Sequence, residues 1–373
     1  MAVDFTVPHD TFRKLVSRTL KVVERRNTIP ILANVLVAVE DDGRLSVEGT
    51  DLDLSIRATA PAHTATVRKA GATTVPAALL SSILAKVKGE VRFHSDERHA
   101  ALTCGRAEFR LNELPVADFP EFASEEMPHG FTLGPAHLKR IVADVAFAIS
   151  TEETRYYLNG ILLERGPEGE LVAVATDGHR LSKLVQRLAE PVAEMPRIIV
   201  PRKTVGLFGD IAEACDGDEA VEVRFSEGRL EFEAPGLRLR SKLIDGTFPD
   251  YNRVIPSGNE HLARFEPTAL AAAVDRVATV SSERGRAVKF AFDDGVLRLT
   301  VLSPDAGSGE DEIAVENGPA EMEIGFNAKY VLDALATFAV PVLQLALHDP
   351  GSPALFQIPD DPSRLVVLMP MRV

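Results

Sequence analysis

Cysteine is nearly absent from this chain: Cys104 and Cys215 are the only two in 373 residues. They lie far apart in unlike surroundings, with no CxxC spacing and no histidine cluster. That excludes a disulfide framework or a cysteine-based metal site and points to reduced structural thiols in a cytoplasmic protein. Long apolar runs are missing as well, and without a stretch of about 18 apolar residues no membrane span is expected. The opening Met1-Ala-Val-Asp4 lacks the basic region and apolar core of a signal peptide, in keeping with a cytoplasmic location. Positive charge is in deficit, 41 Lys and Arg against 55 Asp and Glu, for a net charge of -14. That balance ordinarily argues against nucleic acid, but net charge does not say where the charges sit. No GxSxG, HExxH or GxxxxGK[ST] occurs, so neither a hydrolase of those types nor a self-contained ATPase is indicated, and no cofactor is expected.

What is present is an ordinary globular composition, 45% hydrophobic and 26% charged, in a chain long enough for two or three domains. It is also a repeat. Thr176-Asp177 restates Thr50-Asp51, and Phe131-Thr-Leu133 restates Phe5-Thr-Val7 at the same separation. Ile198-Ile-Val-Pro201 restates Val75-Pro76 at nearly that distance, and Gly325-Phe326 follows Val200-Pro201 by the same step.

Each pass opens on a helix. Residues 9–24 place Phe12, Leu15, Val16, Thr19, Leu20 and Val23 at helical spacing, with Asp10 as a candidate N-cap. The opposite face carries Arg13, Lys14, Arg18 and Lys21, a run of one sign that stands out in so acidic a chain. Strands are expected at 31–40 and 44–57, divided by the turn Asp41-Asp-Gly43, and at 64–75. Further helices are expected from Val75-Pro76 to about Val87, over 135–149, after Pro201, and from Pro267 to about Val280, each followed by strands. Pro304–Glu312, rich in Gly, Ser and acids, reads as a mobile loop.

The economical description is an α+β chain of six helix-plus-antiparallel-sheet half-repeats in three domains, at 1–125, 126–256 and 257–373. The joints are the linkers Asp118-Phe-Pro-Glu-Phe122 and Thr247-Phe-Pro-Asp-Tyr251.

Six motifs, in this order, carry a resemblance that covers the whole length: Thr154-Arg-Tyr-Tyr-Leu-Asn-Gly160, Ala175-Thr-Asp-Gly-His-Arg-Leu181, Val200-Pro-Arg-Lys203, Leu243-Ile-Asp-Gly-Thr-Phe-Pro-Asp-Tyr251, Glu321-Met-Glu-Ile-Gly-Phe-Asn327 and Met369-Pro-Met-Arg372. The chain resembles the beta-subunit family of bacterial DNA polymerase III, the sliding clamps. The resemblance implies the DNA clamp fold: a head-to-tail homodimer closing into a six-domain ring, with helices lining the hole. It implies a processivity factor without catalysis of its own, and as partners double-stranded DNA, the polymerase III alpha subunit, an ATP-driven clamp loader, and other replication and repair proteins.

For particular residues the resemblance implies three sets. Lys14, Arg18, Lys21, Arg26, Lys86, Lys139, Tyr156, Tyr157, Arg202 and Lys203 would face DNA, bound through phosphates without regard to sequence. Relatives carry basic residues just after the first Val-Pro, where this chain has apolar Ala77-Ala-Leu-Leu80. Leu158, Thr176, Gly178, His179, Arg180, Leu181, Pro249, Arg253, Val254, Asn327, Tyr330, Met369, Pro370, Met371 and Arg372 would form a groove for short partner peptides, with methionine suiting a surface that accepts several partners. Near it, Gly285 replaces an aromatic of familiar relatives. Phe109 would meet Thr279 and Val280 of a second subunit.

Plainer readings stand beside these. The basic faces suit a solvated helix surface, Met369 and Met371 suit strand packing, and Phe109, alternating with Leu111, suits a core. Asp177, His179 and Arg180 within four residues invite a hydrolase reading with His179 as base, but no nucleophile or metal accompanies them. A monomeric three-domain scaffold that binds peptides alone is the main alternative to a ring.

Overall fold

The computed structural model describes residues 2–24, 28–96, 99–122, 125–217, 219–281 and 287–373. Arg26 and Gly285 fall outside them. The helices are α1 (His9–Thr19), α2 (Ala77–Leu84), α3 (Pro135–Val145), α4 (Arg202–Val205), α5 (Phe208–Ala212), α6 (Pro267–Ala278) and α7 (Ala328–Leu335). Every strand pairing among the described residues is antiparallel.

The chain divides into two compact units, Met1–Leu138 with Leu207–Leu243, and Lys139–Gly206 with Ile244–Val373. The middle repeat is thus shared between them, because its two halves enter different sheets. In the first unit a five-stranded sheet runs Thr66–Lys69, Asp4–Pro8, Glu90–Ser95, His99–Cys104, Ala107–Asn112. Its eight-stranded companion runs His129–Leu133, Val221–Phe225, Arg229–Ala234, Leu237–Lys242, Leu54–Ala60, Leu45–Thr50, Asn34–Val39, Gly71–Pro76. The second unit has an eight-stranded sheet in the order Ile198–Pro201, Gly160–Arg165, Leu171–Thr176, Arg180–Gln186, Asp361–Leu368, Ala354–Ile358, Leu343–Leu347, His261–Phe265. A four-stranded sheet follows the order Gly307–Ala314, Val296–Ser303, Ala287–Asp293, Glu321–Asn327.

Helix α1 buries Phe12, Leu15, Val16 and Thr19, as the spacing requires, but it stops at Thr19 rather than near residue 24. The Thr19 hydroxyl bonds back to the carbonyl of Val16, and the β-branched pair Val22-Val23 disfavours another turn. Pro8 occupies the N-cap, so Asp10 sits inside the first turn instead of capping it. The strand expected at 31–40 begins late, since Pro30–Ala33 is a 3-10 turn ahead of it, and Glu153–Leu158 is a 3-10 segment ahead of strand Gly160–Arg165. The fourth half-repeat has a broken helix, α4 and α5, where Gly206 and Gly209 lower helix propensity. Pro304–Glu312 is largely ordered as strand Gly307–Ala314, which pairs along Val296–Ser303 and packs on α6. Its acids make it a charged sheet edge rather than a loop. A Cβ at Gly309 would crowd Val277 of α6 and Val280 just beyond it at 3.1 to 3.3 Å, so glycine eases the close approach there.

Cys104 is buried, Cys215 is half-buried, and both are free thiols. Phe119 and Phe248 in the two expected linkers are buried and anchor them. No helix of the described residues is long and apolar enough to cross a membrane.

One buried charge stands out in the second unit. Arg364 lies 3.3 Å from Asp144 in the last turn of α3, donates to the carbonyl of Thr337 at 2.6 Å, and stacks 3.9 Å from the Phe338 ring centroid. Burial pulls its guanidinium below the usual value, against the pull of Asp144. Asp144→Ala strands this cation, and the expected loss is about 3 kcal/mol of stability, read as a fall in urea midpoint with unchanged m-value.

Candidate functional site

The hairpin between strands Leu171–Thr176 and Arg180–Gln186 is built by its own side chains. The Thr176 hydroxyl donates to the Arg180 carbonyl at 2.7 Å and accepts from the Gly178 amide at 3.1 Å. The Asp177 carboxylate accepts from the amides of His179 at 2.9 Å and Arg180 at 3.0 Å. The turn holds Gly178 at φ 90°, which favours glycine, and a Cβ there would need only the flexible end of Arg155, whose Nη1 lies 2.6 Å away, to move. The earlier copy is the same turn atom for atom: Thr50 donates to the Leu54 carbonyl at 2.9 Å, Asp51 accepts from Asp53 and Leu54, and Leu52 takes φ 79°.

This bonding removes the hydrolase geometry. The second oxygen of Asp177 is taken by Arg180 Nε at 3.0 Å, and the exposed His179 ring stacks on Tyr330 at 6.1 Å between centroids. Arg180 is half-buried and braced. Its Nη1 bonds Asp333 at 2.7 Å, and its guanidinium lies 4.6 Å from the Tyr330 ring centroid and 5.3 Å from that of Phe147.

Beside the hairpin lies a cavity of about 250 Å³ lined by Arg155, Tyr157, Leu158, Thr176, Gly178, Arg180, Leu181, Pro249, Asp250, Tyr251, Val254, Val367 and Met369. Leu158, Leu181, Tyr251 and Val367 form a buried apolar floor, while Val254 and Met369 stand exposed at the mouth. Tyr251 is fixed by its hydroxyl donating to Glu164 at 2.6 Å. Burial and then that carboxylate push the phenol well above its usual range, so it stays a neutral donor.

Of the expected groove residues, Leu158, Thr176, Gly178, Arg180, Leu181, Pro249, Val254 and Met369 line this cavity. His179, Arg253, Asn327, Tyr330, Pro370, Met371 and Arg372 are not in its lining. Arg253 is exposed and paired with Asp250 at 3.1 Å. Asn327 caps α7, accepting from the amides of Lys329 and Tyr330, and Tyr330 packs against Arg180. The segment after Leu368 is tied down by Met369 N donating to the His179 carbonyl at 2.9 Å and Met371 N to that of Gly325 at 2.8 Å. Sequence reasoning does not reach Arg155, Asp250, Tyr251 and Val367, and Tyr157, which the resemblance places at DNA, also lines the cavity. The signal for Tyr251 and Asp250 was available, since both stand in the linker motif that supplied Pro249.

Among the residues expected to face DNA, Lys14, Lys86, Lys139, Arg202, Lys203 and Tyr156 are exposed and Arg18 is half-buried. Lys21 forms an ion pair with Asp210, which competes with any phosphate. Phe109 is half-buried on the edge strand Ala107–Asn112, with Leu111 fully buried beside it. Thr279 is exposed and Val280 half-buried at the end of α6.

The described residues thus form three tandem α+β repeats with an apolar cleft beside the hairpin, the architecture of a scaffold. Family profiles for the DNA polymerase III beta subunit match throughout: the N-terminal domain at residues 3–123, the central domain at 132–250 and the C-terminal domain at 252–372. The chain is 40% identical over 375 residues to the beta sliding clamp of Caulobacter vibrioides, covering 99% of each, and 33% identical over 373 residues to that of Escherichia coli K12, covering 99% and 100%. It matches the crystal structure of the sliding clamp of Bartonella birtlesii bound to griselimycin with TM-score 0.95 at 40% identity and full coverage of both chains. The chain therefore belongs to the DNA polymerase III beta subunit family, the bacterial sliding clamps, and serves DNA replication without catalytic activity of its own.

Burial raises the Asp333 carboxyl, but bonds from Lys329 and Arg180 outweigh it and hold the group below its usual value. A depressed carboxyl contributes stability that is present above the ordinary range near ~4 and lost as pH falls through the folded value. Asp333→Asn is therefore expected to lower the urea midpoint at pH 7, with the gap to the parent closing towards pH 3.

Proposed function

We propose that two copies of this chain close head to tail into a ring around duplex DNA, with domain boundaries near 125/126 and 256/257. The ring tethers the polymerase III alpha subunit, the clamp loader and other replication and repair proteins through the cleft. The cavity-lining set and Met369 to Arg372 hold the peptides, while Lys14, Arg18, Lys86, Lys139, Tyr156, Arg202 and Lys203 offer DNA screened, sequence-independent contacts in the cytoplasm. Tethering works by effective concentration, so a weak cleft contact suffices once the ring cannot dissociate.

The observation that carries the ring is the way half-repeats join. The last strand of one half pairs with the third strand of another, Leu237–Lys242 on Leu54–Ala60 and Asp361–Leu368 on Arg180–Gln186. Two strands of the same kinds remain at sheet edges, Ala107–Asn112 and Gly307–Ala314. Joining them between chains satisfies both edges and brings Phe109 to α6, over Gly309 and Val280 of the second copy. The acids of one edge, Glu310 to Glu312, then meet Arg106 and Arg110 of the other.

Loaded by its clamp loader and ATP, the protein is expected to remain on nicked circular DNA through high salt and to leave when the circle is cut. Loss from circles in salt, as from linear DNA, would overturn the ring. Equilibrium sedimentation checks the joint: the parent at twice 40.4 kDa, and Phe109→Asp shifted towards the single-chain mass.

A further inference from the structure

The cavity wall formed by Met369 is held from two sides, and one of its supports has no side chain. The eight-stranded sheet of the second unit ends its joint at Met369, whose amide donates to the His179 carbonyl at 2.9 Å. Two residues on, Met371 donates to the carbonyl of Gly325 at 2.8 Å and forms a single bridge with that residue. Gly325 lies on Glu321–Asn327, the edge strand of the four-stranded sheet, and such an edge has carbonyls free to accept. The segment is thus a strap between two sheets, with Met369 at its first anchor and Met371 at its second.

The neighbours Ile324 and Phe326 face the core at 1% and 0% exposure, so by strand alternation Gly325 faces the strap. A Cβ on Gly325 would fall 2.5 Å from the Met371 carbonyl oxygen and 2.3 Å from Val373 Cγ1. The obstruction comes from the strap rather than from the core. Met371 and Val373 are exposed, so the strap is what gives way.

We propose that Gly325 is a positioning residue for the peptide cleft: its missing side chain is the seat on which Met369–Val373 is docked, and the seat sets the place of Met369 at the mouth. Gly325 touches no peptide in this account. The inference rests on the cleft being the peptide site, and the test separates the two.

Four chains are compared: the parent, Gly325→Ala, a truncation after Leu368, and the truncation carrying Gly325→Ala. The probe is a fluorescent peptide copied from the clamp-binding segment of the polymerase III alpha subunit, with griselimycin as a second ligand. Gly325→Ala is expected to weaken peptide binding about tenfold, nearly as much as truncation, and to add nothing in the truncated chain. Hydrogen exchange across Met369 and Met371 is expected to rise in Gly325→Ala with the rest of the chain unchanged. A parent that fails to bind either ligand, while exchange rises as described, sinks the peptide reading and leaves the seat standing. Parent-like affinity and exchange in Gly325→Ala, or an equal further loss in the truncated chain, overturns the seat. So does a Gly325→Ala chain that unfolds even when truncated, because the residue would then serve the sheet; recovery of folding on truncation supports it.

Discussion

Everything in this molecule hangs on one kind of backbone ladder, the antiparallel pairing that carries a sheet from one half-repeat into another. A half-repeat alone is four strands with a helix across one face, and its outer strand would expose a row of unsatisfied amides and carbonyls. Leu237–Lys242 on Leu54–Ala60, and Asp361–Leu368 on Arg180–Gln186, turn such edges into sheet interior. The ladder explains why the compact units cut through the middle repeat: strand pairing, not order along the chain, decides which residues share a core.

The same ladder places the cleft. Its last rung in the second unit, Met369 N to the His179 carbonyl, lies at the hairpin built by Thr176 and Asp177, so the turn sits where the joint ends and the chain leaves the sheet. Buried leucine, valine and tyrosine below, and an exposed methionine held at the rim, give an apolar trough with a packed floor. Arg180 stiffens it from behind, with both carboxylate partners and the Tyr330 ring fixing its guanidinium.

Patterns local in sequence were legible without coordinates. The apolar stripe of α1 as far as Thr19, the Asp41-Asp-Gly43 turn and the Thr-Asp repeat are set by neighbours within a few residues, and these form as read. Roles decided by contacts distant in sequence were not. Arg364 reads as one more polar residue of the last strand, yet Asp144, Thr337 and Phe338 make it a buried charge. Gly307–Ala314 has a loop's composition, and only its partner strand and the underlying α6 make it a strand. Tyr157 and Val367 reach the cavity through tertiary packing that no spacing announces.

The two copies of the turn show what divergence has done to one backbone. Lys242 N donates to the Asp53 carbonyl at 2.8 Å, the counterpart of the rung from Met369 to His179. In the first copy, however, Lys242 Nζ also closes on the Asp53 carboxylate at 2.8 Å, and Leu52 is held in a left-handed conformation that costs a non-glycine residue about 1 kcal/mol. In the second copy glycine takes the left-handed position without that cost, an exposed histidine replaces Asp53, and methionine replaces Lys242. The bonds that define the turn are kept in both, so the fold retained the turn as a structural part. What separates the two hairpins is four positions on one backbone frame, the fourth being Arg180 in place of Leu54.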